Sequence, residues 1–209
     1  MRRRRILTLF LAFVMTVAYS CGGGSGPGSP GSSNPNSIGG YITITAMDHS
    51  SPKGTQGEQW QMDMVQDMCG ATGGSTGTPE QWGDDTANAT VALTSYDATI
   101  PANAIFIQRY TVEFTQQIYE LNLPPITMLD LTTSIMIKPD SSGSVLMVVM
   151  PSGAKVTYWK GITSGLYNPV NLPPYLYDMK ITLYGVDTLG HSFSVIVHRT
   201  ISVADYNNC

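Results

Sequence analysis

The side chains able to do chemistry are few, and their types and spacing point to binding more than to catalysis. His49 stands among turn-forming residues, His191 in a turn, and His198 on the opposite strand face from Val197. A serine hydrolase needs a hydroxyl, an imidazole and a carboxylate in contact. Histidines isolated in this way read instead as solvated polar surface. Glycoside hydrolysis needs two carboxylates flanking one bond. Asp84-Asp85 and the pair Glu113 and Glu120 are the nearest candidates, and each reads better as a solvated face. The expectation is a protein that is not an enzyme and needs no cofactor.

Ligand chemistry is the next possibility. Asp84-Asp85, after Trp82-Gly83, could supply oxygens to calcium between loops, with Asp187 as a third metal ligand. Calcium takes about six to eight oxygens, and no spaced Asp-x-Asp-x-Asp run is present. Met62, Met64 and Met68, with Met47 and His49, could hold a soft cation such as Cu(I). Methionine as a filler of core gaps is the simpler reading. Aromatic residues offer a further lead in 158–177, YWKGITSGLYNPVNLPPYLY, which reads as a long connection rich in Pro, Gly and Tyr. Long aromatic loops on β-scaffolds are common recognition surfaces. Tyr158, Trp159, Tyr167 and Tyr175 are therefore the candidate binding residues, for an envelope protein or for stacked sugar rings. The competing reading is an irregular crossover whose tyrosines cap the core.

What positions these residues begins at the N-terminus. Four arginines, Arg2 to Arg5, precede a run from Ile6 to Val17 that only Thr8 and Thr16 interrupt. A basic segment followed by about a dozen apolar residues has the layout of a secretory signal peptide, and it is shorter than the roughly 20 residues a membrane-spanning helix needs. The junction Val17-Ala18-Tyr19-Ser20-Cys21-Gly22 resembles the lipobox of bacterial lipoproteins. That resemblance implies removal of residues 1–20 and lipidation of Cys21, with membrane attachment through acyl chains such as palmitate. Gly22, in place of the Asp that marks inner-membrane retention in such proteins, implies the outer membrane of a Gram-negative bacterium. Residues 21–40, almost wholly Gly, Ser, Pro and Asn after the cysteine, read as a flexible linker spanning about 25 Å.

With Cys21 assigned to lipid, Cys69 and Cys209 remain, and in an oxidising compartment two such cysteines most often pair. The loop closed would give roughly 4–5 kcal/mol of chain-entropy stabilisation. The sequence has 11 Lys and Arg against 15 Asp and Glu. Loss of the four signal arginines leaves a clearly acidic chain, which argues against nucleic acid and against electrostatic binding to anionic lipid.

Residues 41–209 read as one domain, with a hydrophobic period of two. Strands are expected over 41–46, 60–68, 89–95, 105–114, 134–137, 144–150, 177–186 and 192–203, with helix an alternative over 60–68 because Met and Gln are good helix formers. The last two form a hairpin, because Asp187-Thr188-Leu189-Gly190 supplies turn chemistry. Tyr177, Met179, Ile181 and Leu183 share one face of the first, and Phe193, Val195, Val197, Ile201 and Val203 one face of the second. No convincing long helix is visible, so the fold class is all-β and antiparallel. The segment YDMKITLYGVDTLGHSFSVIVHRTISV resembles the final hairpin of bacterial Ig-like and fibronectin-like domains, which implies an Ig-like β-sandwich. Cys69 and the closing Asp205-Tyr206-Asn207-Asn208-Cys209 resemble features of bacterial secreted lipoproteins, a resemblance that implies no activity. The role expected is structural, adhesive or that of an accessory subunit. A carbohydrate- or calcium-dependent binding module is the alternative, and a secreted hydrolase comes third.

Overall fold

The computed structural model describes residues 38–50, 60–66, 68–70, 77–118, 122–169 and 173–206. The signal segment, Cys21, Glu120 and Cys209 lie outside them, as do 22–37 of the linker. In chain order the elements are β1 (Gly40–Ser50), β2 (Gln61–Asp63), β3 (Met68–Cys69), β4 (Thr78–Pro79), β5 (Asp85–Ser95), β6 (Ile105–Gln116), β7 (Leu129–Ile137) and β8 (Ser141–Met150). Helix α1 (Ser152–Thr163), β9 (Tyr175–Asp187) and β10 (Ser192–Ala204) complete the set. One sheet has the order β1-β5-β8 and another β2-β10-β9-β6-β7, and β3 pairs with β4 alone. Every pairing is antiparallel except β2 with β10.

The period-two pattern is what builds this arrangement. Tyr177, Met179, Ile181 and Leu183 of β9 are all buried, as are Phe193, Val195, Val197, Ile201 and Val203 of β10. They share one core with Ala87, Ala89, Val91 and Leu93 of β5 and with Val145, Met147 and Val149 of β8. A polar bolt crosses that core. The Tyr110 hydroxyl of β6 accepts from the Val148 amide of β8 at 2.9 Å and donates to the Val148 carbonyl at 3.3 Å.

The expected hairpin forms with Ser192 opposite Val186 and Val203 opposite Tyr175. Asp187 organises its turn, accepting the Leu189 amide at 2.9 Å and the His191 amide at 2.8 Å. Gly190 takes φ 87°, the left-handed region that glycine enters without steric cost. Gly185 serves a different need. A Cβ there would come within 2.2 Å of the Phe106 carbonyl oxygen and 2.4 Å of the Phe193 ring.

Two expectations require correction. Residues 152–163 are helical, although no helix was legible and 158–163 was read as part of a connection. The sequence Ser152-Gly153-Ala154-Lys155-Val156-Thr157-Tyr158-Trp159-Lys160-Gly161-Ile162-Thr163 contains two glycines and several β-branched residues, all poor helix formers. Its N-cap residue, Pro151, offers no side-chain cap, and its first turn holds no acidic residue. Burial of Lys155 and Tyr158, three residues apart on one face, holds it in place. The linker boundary also moves. Ile38 is 1 % exposed within the core, and its carbonyl accepts from the Asn103 amide at 2.8 Å.

Candidate functional site

Helix α1 follows β8 directly and covers the end of the core where β5 begins. Asp85, the first residue of β5, lies opposite Met150, the last of β8. His49, near the end of β1, lies opposite Ala87 of β5. Register thus brings His49 and Asp85 to the same end of the three-stranded sheet, and α1 delivers Lys155 to them. The Lys155 Nζ lies 3.0 Å from Asp85 Oδ1, and the two side chains are 1 % and 0 % exposed. Water has been removed from both charges, so their attraction works in a low local dielectric and the cost of desolvating them is high.

His49 was expected in a loop and is instead a core residue of β1. Its ring stacks on Trp60, 4.9 Å between centroids and 24° between planes. Neither ring nitrogen has a hydrogen-bond partner among the described residues. Burial, reinforced by the Lys155 charge, pulls its pKa down from 6.5 to about 4. The imidazole is therefore neutral at physiological pH. Lys155 went unremarked in the sequence, since nothing but a helical reading would have put it on the same face as Tyr158.

A second polar cluster lies along the same helix. The Tyr177 hydroxyl of β9 is 3.2 Å from both the Pro124 carbonyl and the Tyr158 hydroxyl. Burial pushes the Tyr158 phenol up to about 12, and burial together with Tyr158 raises Tyr177 further. Both phenols are protonated donors at any physiological pH.

The candidate binding residues separate accordingly. Tyr158 is buried on α1 and Tyr175 is buried on β9, so neither lies on an open loop. Trp159 and Tyr167 are half-buried. Tyr167 lines a groove of about 650 Å³ between the outer side of α1 and the segment Pro124–Thr127. Pro124, Pro125, Thr127, Thr157 and Lys160 form most of its walls, and the 72 % exposed Leu166 stands at its rim.

The three metal-ligand candidates are brought to different places. Asp84 accepts the Ser152 amide at 2.7 Å and fastens the start of α1. Asp85 holds Lys155. Asp187 lies at the far end of the core, where its carboxylate also meets Asn103 Nδ2 at 3.0 Å and His191 Nδ1 at 2.9 Å. Among the described residues no three His, Cys, Asp or Glu side chains gather in a way that could hold a metal ion. The expected calcium set therefore does not converge. Of the candidate soft ligands, Met47, Met62 and Met64 are core residues and Met68 is 46 % exposed. Glu113 pairs with Lys180 across β6 and β9 at 3.1 Å.

Cys69 lies on β3 and is not without a partner; Cys209 is outside the described residues. A Gly73-x-Ser75-x-Gly77 spacing, missed among the sequence motifs, has its serine outside them as well. Its flanking elements are the two-residue strands β3 and β4, whereas a nucleophile turn of that pattern joins a strand to a helix. No described helix is long and apolar enough to cross a membrane. No protein family, characterised protein or solved structure matches the chain.

Proposed function

We propose that this protein is a lipid-anchored component of the bacterial cell envelope, held at the outer membrane by acylated Cys21, and that it acts by binding rather than catalysis. Its domain is read as an Ig-like β-sandwich, supported by two largely antiparallel sheets that share one core. A Cys69–Cys209 bridge would fit the oxidising compartment. The role is that of an adhesive or accessory subunit engaging another envelope protein.

The observation that carries this reading is the groove at Tyr167. Its described lining offers two prolines, several hydroxyls, one ammonium and a phenol ring. Such a surface, apolar in part and carrying a few polar groups, suits recognition of a chain or a sugar. Hydroxyls beside a tyrosine ring favour a glycan as the second reading.

A photo-cross-linking residue placed at Tyr167 in intact cells tests the proposal. An adduct with one envelope protein is the expected result. Absence of a protein adduct, together with glycan-array binding that Tyr167→Ala abolishes, would replace the subunit reading with the carbohydrate one. Silence in both assays would remove the groove as a recognition site.

A further inference from the structure

The Lys155–Asp85 pair is positioned for more than an ion pair. We propose that Lys155 Nζ and Asp85 Cγ condense into an intramolecular amide, a covalent cross-link between the start of β5 and helix α1. The nitrogen lies 3.0 Å from Oδ1, which brings it into contact range of the carboxyl carbon to which that oxygen is bonded. Both side chains are closed off from water, so the aqueous solvent that would otherwise favour two separate ions is absent. Condensation eliminates two buried charges in one step, where any non-covalent arrangement must keep compensating them. The backbone fixes both ends, β5 by its pairing with β8 and α1 by Tyr158, and such pre-orientation makes a reaction between weakly reactive groups effectively unimolecular.

The balance needs no outside reagent. Starting from ammonium and carboxylate, the C–N bond forms and one Cγ–O bond breaks. Two of the three Nζ protons depart on the leaving oxygen as water, and the third stays on the amide nitrogen. No oxidation state changes. The cross-link would close a span of 70 residues and join the three-stranded sheet to the helix beside the proposed binding groove. It does not depend on the groove's having a partner.

The full chain, purified from cells, reduced and denatured, gives the decisive readout by mass spectrometry. The expected protein is lighter by one water than its sequence and attached lipid require. Proteolysis then yields one branched species joining the Asp85 peptide to the Lys155 peptide. A protein at full mass, with the two peptides recovered separately, would overturn the proposal. So would loss of water confined to the Asp85 peptide alone, which would be a cyclic imide formed with its own backbone. These readings use the unaltered chain and do not require a variant to fold. Lys155→Arg should restore the missing water and the separate peptides.

Discussion

At the scale of the residue, the polar groups under α1 control the pH response. His49 has a folded-state pKa of about 4 against an ordinary 6.5. Above 6.5 both folded and unfolded forms are neutral and nothing is lost. As pH falls from 6.5 towards 4 the unfolded chain takes up a proton that the folded chain refuses, so stability declines across that window. The displacement corresponds to about 3 kcal/mol. Urea midpoints at pH 7.5 and pH 4.5 should therefore differ, and His49→Phe should remove most of the difference. A midpoint that does not move in the unaltered protein would show that the imidazole charges without penalty.

The Lys155–Asp85 pair makes a second prediction at the same scale. Lys155→Met removes both the proposed cross-link and the cation facing the buried Asp85 carboxylate, and should cost at least about 3–5 kcal/mol in denaturant unfolding. Adding Asp85→Leu to the same chain should recover the part of that loss due to the buried carboxylate, because an apolar pair needs no desolvation, and leave the part due to the missing cross-link. In the sequence Asp85 reads as a carboxylate ligand for calcium. Its sequence neighbour Asp84 made that reading attractive, but a strand sends adjacent side chains to opposite sides. Asp84 is exposed and Asp85 is buried.

At the scale of the element, the contrast between α1 and the β9–β10 hairpin is instructive. Local chemistry specifies the hairpin: alternating apolar residues, an Asp that binds its own turn amides, and a glycine at positive φ. Helix α1 has no comparable local support, and its stability comes from what Tyr158 and Lys155 meet. Tyr158→Ala should accordingly cost about 3–5 kcal/mol and loosen the whole helix, as for other buried aromatic truncations. Tyr158→Phe removes only the hydroxyl contact with Tyr177, a loss of about 1 kcal/mol. Val156→Ala, on the exposed side, should fall within about 0.5 kcal/mol. Amide hydrogen exchange over 152–163 would distinguish these cases, with protection lost only in the alanine variant of Tyr158. If Tyr158→Ala left the helix amides protected, its own propensity would be the stronger force.

At the scale of the whole molecule, position and fold are proposed to depend on separate cysteines. Cys21→Ala should release the protein from the membrane fraction without changing its melting temperature. Cys69→Ser should leave it membrane-bound and lower its stability under oxidising conditions by up to about 4–5 kcal/mol. Fractionation and thermal melts on the two variants check both statements, and an unchanged melt for Cys69→Ser would exclude a structural bridge. The sequence by itself determined the strand class, the faces of β9 and β10, the final turn and the acidic balance, because each follows from neighbours within a few residues or from composition. Tertiary structure alone decided that 152–163 is a helix, that His49 is a core residue, that Ile38 belongs to the fold, and that Asp85 meets a lysine 70 residues away. Those outcomes depend on which chain segments burial brings together, and that information is spread over the whole chain.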